Sequence, residues 1–190
     1  MKKVILLIFV NLLLLPLSAQ FKANMVFNSM GQQRAFKVFS AEAGYRYEFN
    51  EGGQEGAIIV KKGSSEIIIL MPQQKMAMKS SASDPMSMGN DPLAAFDHYR
   101  KDGNLMKDEG EEMVNGVKCR KSSLWNKDNP TQKMFTLWLS AKYNFPMKLV
   151  NHIDGSGDST MELKDIEPWT PNTKSFEIPE GYQVMDMPKI

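Results

Sequence analysis

From Phe21 onward the chain keeps a two-residue period. Phe21, Ala23, Met25 and Phe27 alternate with Lys22, Asn24 and Asn28, and a β-strand is the backbone that sends alternate side chains to opposite faces. The period returns after each group of turn residues. Ser29-Met30-Gly31 leads into Arg34 to Ser40, and Ala43-Gly44 leads into Tyr45 to Phe49, where Tyr45, Tyr47 and Phe49 share a side. Gly52-Gly53 precedes Ala57 to Lys61, and Gly63-Ser64-Ser65 connects to Glu66 to Met71. Connections this short join antiparallel neighbours.

Ile67-Ile68-Ile69-Leu70-Met71 abandons the alternation. A strand apolar on both sides is covered on both sides, which predicts a place near the centre of the sheet, under a helix or under something apolar that is not part of the fold. Lys75 to Lys79 forms one more strand with Met76 and Met78 on one face. Residues 80–91 are rich in serine and small residues and read as a mobile loop. Asp91-Pro92 then restarts order as an N-cap followed by proline at the first helical position, with Leu93, Phe96 and Tyr99 on one side, predicting a helix over 91–102 that ends at Gly103. Strands resume at Leu105 to Met113, Gly116 to Trp125, Lys133 to Ser140, Met147 to His152 and Thr160 to Ile166, with hairpin chemistry at Asn115-Gly116 and at Asp154-Gly155-Ser156-Gly157.

Ahead of this pattern, Lys2 and Lys3, the apolar run Val4 to Leu15 and the small-residue end Pro16-Leu17-Ser18-Ala19 read as a cleaved signal peptide over residues 1–19. The run falls short of the roughly 20 apolar residues a membrane span needs. No cysteine stands at the cleavage point, since the one cysteine is Cys119. The mature protein, residues 20–190, is expected to be one domain in the periplasm with no transmembrane segment. Its 21 basic and 22 acidic residues create no large field, which disfavours nucleic acid as a partner. A lone cysteine makes no internal disulfide, so packing must supply the stability, and Cys119 reads as a buried small hydrophobe.

Ten or eleven antiparallel strands with a single convincing helix predict a mainly β fold with minor α. The sheet is expected to curl strongly into an incomplete half-barrel, closed by one or two helices over a hydrophobic cavity. Candidates to line that cavity are Phe21, Met25, Phe27, Phe36, Phe39, Tyr45, Tyr47, Phe49, Ile67, Ile69, Met76, Met78 and Trp138. Met86, Met88, Leu93 and Phe96 are the candidates for a lid. The same aromatic and methionine side chains could instead fill the space themselves as an ordinary core.

Trp138-Leu-Ser140, then Pro146-Met-Lys148, a hairpin to Met161-Glu-Leu-Lys-Asp-Ile166, and Phe176-Glu-Ile-Pro-Glu-Gly-Tyr182 follow one another in an order that resembles the C-terminal half of the outer-membrane lipoprotein carrier superfamily, LolA, LolB and relatives. The chain is similar, more closely, to a group of uncharacterised secreted domains related to that superfamily. The Gly116-x-x-Cys119 strand and the Glu66 to Met71 strand followed by Pro72 to Met78 resemble the same group. The resemblance implies a half-barrel with helices over a cavity that shields acyl chains. It implies a hydrophobic small molecule or lipidated protein as ligand, and an envelope protein as a further partner. The lipoprotein carrier's lid-controlling arginine lies on an early strand; Arg34 and Arg46 both do here, and neither is assigned that role.

Catalysis is not expected. His98 and His152 are the only histidines; one sits beside the apolar face of the helix and the other alternates within a strand, without a nucleophile in a recognisable pattern. The acidic stretch Asp108-Glu109-Gly110-Glu111-Glu112 lacks calcium-loop spacing and reads as a solvated turn. No cofactor is implied. Two alternatives to a carrier stand: an envelope sensor or protein-interaction module of the same fold, and a copper-binding protein. The second rests on fifteen methionines and the pairs Met76/Met78, Met86/Met88 and Met185/Met187, because thioether sulfur suits monovalent copper; Met76, Met78, Met86 and Met88 would be the ligands. Protein recovered from the periplasm is expected to begin at Gln20, read by N-terminal sequencing; an N-terminus at Met1 overturns cleavage.

Overall fold

A computed structural model describes residues 20–64, 66–81, 92–153, 158–172 and 174–187. Residues 1–19, read from the sequence as a signal peptide, most of the loop expected over 80–91 and the turn expected at 154–157 lie outside them. Twelve strands are described: β1 (Phe21–Ser29), β2 (Gln32–Ala41), β3 (Gly44–Glu51), β4 (Gln54–Lys61), β5 (Glu66–Met71), β6 (Met76–Ser81), β7 (Leu105–Val114), β8 (Val117–Trp125), β9 (Lys133–Ser140), β10 (Phe145–Asn151), β11 (Ser159–Pro168) and β12 (Gln183–Asp186). Helix α1 (Pro92–Lys101) stands between β6 and β7, and a short 3₁₀ turn (Pro72–Gln74) between β5 and β6.

All twelve strands form one open sheet in the order β12-β6-β5-β4-β3-β2-β1-β11-β10-β9-β8-β7. Every pairing is antiparallel except β12 with β6. The hairpins follow from turn chemistry. Met30-Gly31, Gly52-Gly53 and Asn115-Gly116 all have positive φ, as two-residue turns matched to the twist of paired strands require. Helix α1 begins at Pro92, ends before Gly103 at φ 86°, and carries His98, Arg100 and Lys101 in its last turn, where positive charge suits the helix dipole.

The sheet curls. Strands β3 and β10 lie four places apart in the order, about 19 Å in a flat sheet at the usual strand spacing. Yet the ring centroids of Tyr45 and Phe145 are 5.5 Å apart. Phe21 joins them, edge-on to Phe145 at 5.4 Å and to Tyr143 at 5.0 Å. The result is a curved half-barrel, as the sequence pattern predicts, with twelve strands.

The additional strand is β12, whose four residues show no legible alternation. It reaches β6 because the chain after β11 runs back across the sheet, which a parallel partner requires. This crossing segment carries Trp169, Phe176, Ile178 and Tyr182, and packs them on Ala41, Ala57, Ile59, Ile68, Leu70 and Ala77. Here one face of the apolar run in β5, that of Ile68 and Leu70, finds its cover. The strand is third from the edge, not near the centre, and what lies over it is irregular chain instead of a helix.

The far edge is guarded differently. Strand β7 is exposed along all but its last residue, and the acidic stretch lies within it, not in a turn. Gly110, at φ 85°, marks a bulge where the register with β8 shifts between Asp108 and Glu111. The carboxylates pair outward: Asp108 with Arg120, Glu111 with Lys118, Glu109 and Glu112 with Lys121. A charged, bulged edge resists pairing with a second chain.

Because Phe176 is buried against Ile59 and Leu70, themselves 0% and 1% exposed, Phe176→Ala is expected to cost about 3 kcal/mol. A denaturant melt of the mature protein measures this, and an unchanged midpoint would mean that the crossing segment is not part of the folded unit.

Candidate functional site

Residues directly opposite in an antiparallel ladder share a face, so the register fixes which side chains stand together. One row crosses seven strands: Ala23, Val38, Tyr47, Ile58, Ile69, Met78 and Met185, on β1, β2, β3, β4, β5, β6 and β12. A second row runs Phe21, Ser40, Tyr45, Val60, Ile67, Ser80. On the other side of β1 the same face continues through Met25 with Leu163, and through Phe27, Met161, Leu149 and Leu137. Helix α1 lies on this face at its β9 end, where Phe96 and Tyr99 meet the ring of Phe135 at 5.8 and 5.6 Å.

Eleven of the thirteen positions anticipated for a cavity fall on this first face: Phe21, Met25, Phe27, Phe36, Tyr45, Tyr47, Phe49, Ile67, Ile69, Met76 and Met78. Two do not. Phe39 stands opposite Lys22 and Arg46 on the second face, and its ring meets Trp169 of the crossing segment at 5.1 Å. Trp138 is also on the second face, opposite Lys121 and Lys148, with both ammonium groups 5.0 Å from its ring. One step of parity along a strand decides the face, and both residues are on the wrong step. Of the lid positions, Phe96 is buried on Phe135; Met86, Met88 and the side chain of Leu93 lie outside the described residues.

The two ends of the first face differ. At the Phe21 end the rings of Tyr45, Tyr143 and Phe145 pack edge to face and occupy the space within the curl. Toward β6 the face opens: Phe49, Ile58, Val60, Ile69, Met71, Met76 and Met78 are all half-buried. On the second face of the same strands Ala57, Ile59, Ile68, Leu70 and Ala77 are at most 2% exposed. Gly56 belongs to this geometry, because a Cβ there would stand 2.2 Å from the Phe49 ring, which lies across it. Ile58, Val60 and Met71 are not among the cavity candidates, and Met185 is singled out only through the Met185/Met187 pair; strand register is the signal that places them here.

The second face carries polar chemistry. A groove of about 520 Å³ over β1 to β4 is lined by Asn24, Lys37, Arg46, Glu48, Asn50 and Glu55 among others, with the Arg46 guanidinium 2.9 Å from Glu48. Farther along, Lys107 and Lys133 sit over Trp125 at 4.2 and 5.1 Å. Arg120 donates to Asp108 and holds its carboxyl below the ordinary range, helped by the Gly110 amide. Glu109 is held low by the Ser123 hydroxyl and by Lys133, 3.2 Å away.

His152 is fastened between two partners, Nε2 at 3.0 Å from Thr136 Oγ1 and Nδ1 at 2.9 Å from Asp158. The arrangement resembles a nucleophile with its base and orienting carboxylate. Thr136, however, is 4% exposed in the middle of β9, where no reacting carbonyl can approach its hydroxyl. The three side chains tie β9 and the end of β10 to the start of β11. His98 is exposed beside Tyr99. Cys119 is buried, its thiol pushed up chiefly by that burial, and so it is unreactive. Among the described residues no three His, Cys, Asp or Glu side chains stand together as a metal site, and no helix is long and apolar enough to cross a membrane.

No protein-family model and no curated protein sequence matches the chain. Solved structures do. The chain is similar to an uncharacterized conserved protein from Thermus thermophilus, at TM-score 0.58 and 11% identity, over 90% of this chain and 93% of that one. It is similar to PNGF-II at TM-score 0.54 and 9% identity, over 89% of this chain and only 31% of that protein. A LolA superfamily protein from Nitrosomonas europaea matches at TM-score 0.46 and 10% identity, over 84% of this chain and 90% of that one. At these identities the likeness is one of fold.

Asp108 and Glu109 have lower pKa values folded than unfolded. Their contribution to stability is therefore present above the ordinary carboxylate range and is lost as pH falls through the lowered folded values. Asp108→Asn/Glu109→Gln is expected to lose less melting temperature than the parent between pH 7 and pH 3. Parallel pH profiles for the two proteins would show these pairs to be without consequence.

Proposed function

We propose that this protein binds a hydrophobic molecule, an acyl chain or the lipid of a lipidated protein, along the open part of the first face, and serves as a non-enzymatic carrier or binding protein in the periplasm. The observation that carries this reading is the contrast between two faces of the same strands. Over β3 to β6 one face is sealed by the chain's own Trp169, Phe176, Ile178 and Tyr182. The other leaves Ile58, Val60, Ile69, Met71, Met76 and Met78 half-buried in one patch. A contiguous apolar patch on a folded protein is commonly an interaction site. The curl makes it trough-shaped, and helix α1 borders the same face.

Such a site needs no specific polar contact. Each methylene removed from water contributes about 0.8 kcal/mol, and methionines along the trough adapt to chains of differing shape. The signal peptide read over residues 1–19 supports a place outside the cytoplasm. The LolA-like fold is compatible with carrying lipid, although fold alone never fixes function.

Binding by apolar burial predicts a dependence on chain length. Lengthening a fluorescent fatty acid by four methylenes is expected to tighten binding by about 3 kcal/mol, roughly two orders of magnitude, while the added carbons remain inside the trough. Ile58→Glu and Ile69→Glu should each abolish uptake while a surface variant, Met113→Glu, leaves it unchanged. Gentle purification from a periplasmic fraction followed by native mass spectrometry and organic extraction tests the reading directly. If the mass is that of the bare polypeptide and no fatty acid is taken up on incubation, the proposal falls and a protein partner on this face becomes the better account.

A further inference from the structure

The fifteen methionines sort by position. Met25, Met134, Met147 and Met161 are buried core residues, and Met30, Met106 and Met113 are exposed singly. Five others gather at one end of the first face. Met71 stands opposite Met76 across the β5–β6 ladder. Met78 shares the Met76 face two residues on and is paired in register with Met185 of the parallel strand β12. Met187, next on that side of β12, donates its amide to the Lys79 carbonyl at 2.8 Å, holding the strand end in place. Two Met-x-Met motifs more than a hundred residues apart in the chain are thus laid side by side.

The choice of methionine here is not explained by strand formation. Immediately inward, β4 and β5 use Ile58, Ile59, Val60, Ile67, Ile68 and Ile69, the β-branched residues that pleated surfaces favour. The switch to thioethers occurs together on three adjacent strands and on one face. The neighbours on that face are neutral, Gln183 opposite Met76 and Ser80 opposite Ile67. The charges nearby are on the other face, where Lys79 is paired with Glu66 at 3.1 Å and stands in register with Asp186. A set of soft sulfur donors without a carboxylate offers little to a hard divalent cation and suits a soft monovalent one.

We propose that Met76, Met78 and Met185 form a thioether site for monovalent copper, with Met71 beyond it on the far side of β6. Met78 and Met185 are direct partners on adjacent strands and Met76 stands one diagonal from Met185, positions whose Cβ atoms are about 5 to 8 Å apart. An unbranched methionine side chain with three rotatable bonds can bring its sulfur to a point between such positions. The three residues are half-buried or, for Met185, 37% exposed, so an ion can reach them from solvent while the apolar surroundings exclude most water. Because β12 supplies one donor, the ion would also fasten the last strand to the sheet edge. Met86 and Met88, the other pair the sequence singled out, are not needed for this site.

The test is anaerobic titration of the copper(I) bicinchoninate complex with mature protein in which Cys119→Ala removes the only thiol. The protein is expected to withdraw one equivalent of copper(I), and Met78→Leu/Met185→Leu to weaken its affinity by at least about tenfold, since leucine keeps the volume but not the sulfur donor. Met30→Leu, at a methionine 73% exposed and outside the site, should leave affinity unchanged. Thermal melts of each variant confirm folding, and Met76→Leu serves as a second donor deletion if the double variant melts early. Failure to withdraw copper, equal affinity in the double variant, or an equal loss in Met30→Leu each overturns the site. Fatty-acid uptake is read without metal, so failure here leaves the apolar-ligand reading standing.

Discussion

The contact on which this architecture depends is the meeting of Phe21, Tyr45 and Phe145 across the inside of the curl. A twelve-stranded sheet that stayed flat would have two broad apolar faces to cover and, among the described residues, one short helix to cover them with. Bringing β3 within ring contact of β10 removes the problem at one end, because the sheet then buries its own aromatic side chains. What remains open is the part of the first face toward β6, beyond the reach of those rings and away from the Phe96 and Tyr99 contacts of α1.

The second face is solved in two ways along its length. Over β2 to β6 the irregular segment after β11 lays Trp169 and Phe176 on the sheet, and Phe39 is drawn to Trp169. Over β7 to β10 the face is covered by long charged side chains. Lys121 and Lys148 lie on Trp138, and Lys107 and Lys133 lie on Trp125, each with its ammonium group over the face of the ring. The first solution also delivers β12 to its place, which is how a packing requirement becomes a strand pairing and sets Met185 beside Met78.

Strand identity, hairpin turns and the helix were legible because each is a local property. Alternation at Phe21 to Phe27 needs only the extended backbone, and Asn115-Gly116 needs only two residues able to take positive φ. Gly110 shows the limit: within an acidic stretch it reads as a turn, and the partner strand β8 makes it a bulge. The run in β5 announced that both faces are apolar, and only the tertiary fold could say that the crossing segment covers one and leaves the other half open.

Face assignment divides the candidate site in the same way. Parity within a strand is in the sequence, so Tyr45, Tyr47 and Phe49 could be grouped at once. Parity between strands is set by register, bulges and the twist of the whole sheet, so Phe39 and Trp138 could not be told from their neighbours. The sequence by itself determined a curled antiparallel sheet with one helix, since periodicity and turn chemistry act over a few residues. The tertiary structure alone decided which apolar residues stay half open, because that depends on where a distant segment lands, and Trp169 to Tyr182 lands on the other face.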